Sequence, residues 1–151
     1  MLSGTGVSLA HVGGGTDAGK NQLKAHAKNN SVELWIAPRL SSSELAKLMA
    51  DALAIVSMAH KEPFGLTPIE AFSIGTPAIF VDEGGFKDTI VDGKCGRLIA
   101  RDNITEWHAA LDQARNPENR KKWSNFGQDR IVQLKLSPRE QAGKIHQILQ
   151  S

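Results

Sequence analysis

Short apolar runs alternating with longer segments of helical spacing set the pattern of this chain. Runs of strand length fall at Val7–Val12, Val32–Ile36, Leu53–Met58, Ala78–Val81 and Arg97–Ala100, each followed by glycine, proline or polar turn residues. Between them, Asp17–Asn29 carries helix formers with Leu23 and Ala27 on one face, and the segment after Ser41 puts Leu45, Leu48 and Met49 on one face. Strands alternating with helices predict an α/β chain with a parallel sheet, and the wholly apolar Ala78–Val81 suits a parallel strand covered on both sides.

Cap signals sharpen the helix boundaries. Ser41-x-x-Glu44 and Thr67-Pro68-x-Glu70 each read as a capping box, Asn103 with Glu106 opens a helix, and Gly75 suits a helix end. Asn116-Pro117 breaks one helix and begins another carrying Trp123, Phe126 and Ile131, and Ser137-Pro138-x-Glu140 caps a last one with Ala142, Ile145 and Leu149 on one face.

At 151 residues with 40% apolar content, residues 1–151 are expected to form a single domain with a real core. The 18 Lys and Arg against 16 Asp and Glu leave a net charge of +2, which gives no support for a nucleic-acid surface. A single cysteine, Cys95, excludes an intrachain disulfide and fits a reducing, cytoplasmic compartment. The amino terminus has no leader pattern, no apolar stretch reaches spanning length, and no Cys/His cluster has metal-ligand spacing, so no transmembrane segment and no metal are expected.

Chemistry concentrates in Glu62-Pro63-Phe64-Gly65-Leu66-Thr67-Pro68-Ile69-Glu70, a tight loop running from an apolar strand into a helix. Backbone N–H groups at such a helix start form an anion site at the end of a strand. Glu70 reads as the carboxylate of the capping box, and Pro63 holds Glu62 extended on the loop rim with no helix to serve. A second glycine loop offers two rival templates. Gly14-x-x-x-x-Gly19-Lys20 matches most of a phosphate loop with Asp82 as its distant acid, except that Asn21 stands where the metal-binding hydroxyl belongs. Gly13-x-Gly15-x-x-Ala18 matches a dinucleotide fingerprint with Glu33 as ribose ligand, and a plain strand-to-helix turn explains the same glycines.

The two glutamates with seven residues between them, enclosing Pro-Phe-Gly-Leu, are followed by Glu70-Ala71, Gly75-Thr76-Pro77, Gly84-Gly85 and Asp92-Gly93-x-x-Gly96-x-Leu98. In that order they resemble the carboxy-terminal, donor-binding domain of family 4 retaining glycosyltransferases, the glycosyl transferases of group 1 with GT-B fold. The resemblance implies a Rossmann-like parallel sheet flanked by helices and a nucleoside-diphosphate sugar as substrate, with no cofactor. It implies that Glu62 contacts the hydroxyls of the transferred sugar and orients it, as the catalytic candidate, while Glu70 takes the ribose hydroxyls. Backbone groups of Phe64, Gly65, Leu66 and Thr67 would meet the diphosphate, with Gly14 facing the donor pocket. Leu34, Trp35 and Ile36 would lie beside the nucleobase, although Trp35 also reads as a core aromatic. Gly84 and Gly85 would let backbone N–H groups approach the sugar or acceptor side. Asp82-Glu83-Gly84-Gly85-Phe86-Lys87-Asp88 resembles the mannosyltransferases of the family and leans towards GDP-mannose.

The same resemblance implies parts expected to be missing: the amino-terminal acceptor domain, and a first strand–loop–helix unit carrying an Arg and a Lys for the diphosphate. In a sheet of order 3-2-1-4-5-6 that first strand is central. Its absence predicts a rearranged sheet, a strand exchanged between copies in a homo-oligomer, or completion by another polypeptide, and an isolated chain that transfers no sugar. A non-catalytic binding module of the same fold is the alternative from another class.

Overall fold

The computed structural model of the chain describes residues 1–150, the side chains of residues 144, 145 and 150 excepted. Its elements run β1 (Leu9–His11), α1 (Asp17–Asn29), β2 (Leu34–Ile36), α2 (Ser42–Asp51), β3 (Ile55–Ser57), α3 (Leu66–Ile74), β4 (Ala78–Val81), α4 (Phe86–Thr89), β5 (Gly96–Ile99), α5 (Ile104–Arg115), α6 (Pro117–Leu134) and α7 (Pro138–Gln150). Among the described residues no helix is long and apolar enough to cross a membrane.

The strands do not form one sheet. β1 pairs with β2 in parallel, β3, β4 and β5 form a second parallel sheet in that order, and no ladder joins the two. The break falls between β1 and β3, where the expected order leaves out its central strand. A cavity of about 790 Å³ occupies the break, lined along one wall by β1 and along the other by β3. The bottoms of both sheets are tied together: Arg115, at the end of α5, donates to the Thr5 carbonyl ahead of β1, and Arg120 of α6 donates to the Ala52 carbonyl ahead of β3 at 2.6 Å.

The core belongs to the three-stranded sheet. β4 is buried at all four positions, and Phe72, Phe86 and Trp107 close around it, with Phe80 of the strand and Phe86 edge to face at 4.7 Å. Indole nitrogens anchor the covering helices, Trp107 donating to the Ala100 carbonyl and Trp123 to that of Gly93. β3, by contrast, is only half-buried at every position, because one of its edges and part of its surface face the cavity.

Most cap expectations hold. Ser41 and Glu44 form a reciprocal box, Asn103 accepts from Glu106 N–H, Asn116 caps α6 with Pro117 in its first turn, and Gly75 ends α3 at φ 83°. Two apolar features are less buried than a core would make them. Trp35 is 47% exposed rather than core, on the same face of the two-stranded sheet as its exposed partner Ala10. The apolar face expected of α7 is not buried: Ala142 and Leu149 are exposed, and the Ile145 side chain lies outside the described residues.

Candidate functional site

The loop from β3 to α3 takes a form the local sequence does not announce. Helix α3 starts at Leu66, with Gly65 as its cap in the left-handed region at φ 67°, so Thr67 and Glu70 form no capping box. The cap acceptor comes from Glu62 instead, whose Oε1 receives the N–H groups of Phe64 at 3.4 Å and Gly65 at 3.2 Å. Glu62 therefore serves a helix after all. Pro68, third in the helix, has no N–H, which leaves Leu66 and Thr67 as the two N–H groups of the first turn without a partner among the described residues. They carry the positive end of the α3 dipole.

Glu70 is relieved of the role its spacing suggested. Its carboxylate makes no hydrogen bond or ion pair among the described residues, and with Thr67 it lines the inter-sheet cavity. Phe64 and Leu66 stand 73% and 60% exposed at the same helix start, an uncovered apolar rim.

The glycine pair after β4 explains how this loop is held. Gly85 N–H donates to the Glu62 carbonyl at 2.8 Å, and a Cβ on Gly85 would sit 2.7 Å from the Phe64 carbonyl carbon and the Pro63 oxygen. A Cβ on Gly84 would meet the Glu62 oxygen at 2.4 Å. Both glycines are needed for backbone-to-backbone packing of one loop on the other, and the Gly85 N–H expected to face a sugar is already used. Beside them Glu83 receives a bidentate fork from Arg101, at 3.0 and 2.9 Å, while the same guanidinium donates to the Met58 carbonyl at 2.7 Å. His60 Nδ1 lies 3.5 Å from the Glu83 carboxylate. The Arg101 fork holds the Glu83 carboxyl below the usual glutamate range, with burial opposing and His60 adding a little. This clamp joins the ends of β3, β4 and β5, and sequence reading missed Arg101 entirely.

Of the residues singled out from sequence, Thr67 and Glu70 face the cavity and the others do not line it. Gly14 sits in the exposed loop after β1, and Leu34, Trp35 and Ile36 form β2, one strand further from the break. Phe64, Gly65 and Leu66 surround the helix start, with Gly84 and Gly85 packed behind Glu62. The phosphate-loop template loses its geometry. Helix α1 begins at Asp17, so Gly19 and Lys20 are already helical, Gly19 N–H is capped by Thr16, and Asp82 pairs with Lys87 at 3.3 Å. Among the described residues no three His, Cys, Asp or Glu side chains group as a metal site.

Comparison with known proteins follows the same outline. The family model described as "Glycosyl transferases group 1" matches residues 3–130. The chain is 32% identical over 113 residues to D-inositol 3-phosphate glycosyltransferase of Frankia alni, covering 71% of this chain and 28% of that protein. It is 28% identical over 114 residues to alpha-maltose-1-phosphate synthase of Mycobacterium tuberculosis, covering 71% and 30%. In structure it matches sucrose-phosphate synthase of Thermosynechococcus elongatus with a TM-score of 0.81 at 22% identity, over 94% of this chain and 38% of that one. Anabaena HepE, solved with UDP-glucose, matches with a TM-score of 0.72 at 19% identity, over 84% and 36%. The chain spans about a third of the length of the relatives it matches.

Proposed function

Because this chain belongs to the group 1 glycosyl transferases, with the α/β fold of their GT-B members, we propose that it is the donor-binding part of a retaining glycosyltransferase that uses a nucleoside-diphosphate sugar. The observation that carries this reading is the start of α3. Glu70 stands beside Thr67 at the cavity, and among the described residues its carboxylate and the Leu66 and Thr67 N–H groups have no partner. A carboxylate accepts two ribose hydroxyls, and helix-start N–H groups stabilise a diphosphate whose charge grows as the sugar leaves. Relatives named as glycosyltransferases and a neighbour solved with UDP-glucose support the substrate class.

Glu62 enters this reading with a condition. Its Oε1 is engaged by the loop's own N–H groups, so orienting a sugar falls to its remaining lone pairs, or requires the loop to open. The positive end of the α3 dipole contributes only about 0.3–1 kcal/mol to anion binding when exposed. The chain alone therefore binds donor weakly and transfers no sugar.

Calorimetry of the 151-residue chain against UDP-, GDP- and ADP-sugars, and against ATP, with and without magnesium, tests the proposal. Metal-independent binding of one nucleotide sugar, lost in Glu70→Ala, is expected. Magnesium-dependent ATP binding overturns it, and so does the absence of any nucleotide-sugar binding at millimolar concentration, the result a non-catalytic module of the same fold would give.

A further inference from the structure

Three parallel strands of the larger sheet deliver their carboxyl ends to one guanidinium. β3 closes at Ser57 and Met58 follows, β4 closes at Val81, two residues before Glu83, and β5 closes at Ile99, two residues before Arg101. Arg101 Nε and Nη2 donate to the two Glu83 carboxylate oxygens at 3.0 and 2.9 Å, and Nη1 donates to the Met58 carbonyl at 2.7 Å. The turn that leaves β3 has little else to hold it. Among the described residues no hydrogen bond between main-chain groups involves residues 58–61, the Ala59 N–H is taken by the Ser57 hydroxyl at 3.2 Å, and Lys61 sits at φ 54°. A lysine keeps that left-handed conformation only where contacts from outside the turn fix it.

We infer that Arg101 is a positioning residue for the donor site, one that acts through Glu62 by setting where that carboxylate stands. Two routes lead from its guanidinium to Glu62. One runs along the chain from the Met58 carbonyl through the left-handed Lys61. The other crosses space: Glu83 precedes Gly84 and Gly85, a Cβ on Gly84 would lie 2.4 Å from the Glu62 oxygen, and Gly85 N–H donates to that same carbonyl at 2.8 Å. Gly65, whose N–H donates to Glu62 Oε1, is packed as closely, since a Cβ on it would meet the Gly85 oxygen at 2.7 Å. His60 Nδ1, 3.5 Å from the Glu83 carboxylate, links the same two segments, but its side chain is 72% exposed. Both routes start at one side chain, so the carboxylate proposed to orient the sugar takes its place from Arg101.

Arginine suits this arrangement and lysine does not. A planar guanidinium presents its Nε and Nη2 edge to a carboxylate and keeps Nη1 for a third acceptor, whereas a lysine ammonium keeps the charge as a point and cannot span both. The consequence for binding rests on the donor reading, in which Glu62 takes the transferred sugar and Glu70 the ribose. Loosening the loop should then cost affinity for the sugar part of the donor and spare the nucleotide part. The effect on the loop itself does not depend on that reading.

Arg101→Lys in the 151-residue chain tests this, with amide exchange followed by NMR and UDP-, GDP- and ADP-sugars titrated beside the matching nucleoside diphosphates. Exchange at the buried Gly65 and Gly85 amides is expected to quicken about tenfold or more, as for loss of a hydrogen bond to a charged group, while amides of α5 and α6 keep their rates. The variant is expected to bind the nucleotide sugar about fivefold or more weakly than the parent, and the sugar-free nucleotide with the parent's affinity. Glu83→Gln, which cuts the same fork from the other side, is expected to quicken the same two amides and carries the test if Arg101→Lys does not fold. Unchanged exchange at Gly65 and Gly85 in a folded variant overturns the proposal. So does exchange that rises equally in α5 and α6, or an equal loss of affinity for nucleotide sugar and sugar-free nucleotide. If the parent binds no nucleotide sugar, the donor reading fails, while the exchange comparison still decides whether Arg101 positions the loop.

Discussion

Replacing Gly85 with alanine isolates the contact that holds the β3–α3 loop. Gly85 has φ −65° and ψ −9°, a conformation alanine adopts freely, so the backbone itself resists nothing. The whole effect comes from the new Cβ, 2.7 Å from the Phe64 carbonyl carbon and the Pro63 oxygen and 2.8 Å from Phe64 Cα. These are main-chain atoms with no flexible end to swing aside. Restoring ordinary contact moves the 62–65 loop by about 0.7 Å, an overpacking cost of about 1–3 kcal/mol. The 2.8 Å bond from Gly85 N–H to the Glu62 carbonyl is stretched by the same shift, adding about 0.5–1.5 kcal/mol. Against this, alanine narrows the unfolded ensemble by about 0.4–1 kcal/mol. The net is about 0.5–4 kcal/mol, centred near 2 kcal/mol, or a fall in melting temperature of several degrees, at roughly 2–4 °C per kcal/mol for this chain length. The control is Gly14→Ala, where nothing lies within 4 Å of the added Cβ and stability is expected to stay within about 0.5 kcal/mol. Thermal melts followed by circular dichroism decide it. A Gly85→Ala chain melting within a degree of the parent, or a Gly14→Ala chain falling as far, refutes the loop-on-loop account.

Glu70→Gln is expected to leave melting unchanged, because its carboxylate caps nothing, and to weaken donor binding about tenfold or more, the size of a hydrogen bond to a charged group. Glu62→Ala, which strips the acceptor from Phe64 and Gly65 N–H, is expected to cost about 1 kcal/mol in urea denaturation, as loss of a cap does. The lowered folded-state pKa of Glu83 makes its clamp with Arg101 fully effective above the ordinary glutamate value of 4.5 and lost as pH falls below it. Melts between pH 6 and 3 should therefore drop further in the parent than in Glu83→Gln, and equal drops would sink this. Cys95 is buried and burial raises its thiol pKa, so a thiol reagent should react only as the chain unfolds, and prompt labelling in buffer would contradict the burial.

Local chemistry was legible where it acts alone. Asp17–Asn29 is helical over its whole expected length, and Ser41, Asn103 and Asn116 cap as their residue types dictate, because each cap closes within four residues. Strand ends were over-read. Val7–Val12 shrinks to Leu9–His11 and Leu53–Met58 to Ile55–Ser57, since these strands find a partner on one side only. The Thr67-x-x-Glu70 spacing misled for a physical reason. The capping pattern is satisfied by a helix starting at either place, and the choice is made by Gly84 and Gly85, which lie far along the chain and fix the loop in which Gly65 turns left-handed. Arg101 escaped notice because its partner Glu83 is eighteen residues away, and no periodicity links them.

The two carboxylates of the loop end up with opposite assignments, and the difference bears on how the site is assembled. Glu62 is fixed by its own loop, behind Gly84 and Gly85, whereas Glu70 looks into the space between the sheets. Thr67 and Glu70 thus belong both to the proposed donor site and to the wall of the space between the sheets, where exclusion of water would strengthen every polar interaction made with a donor.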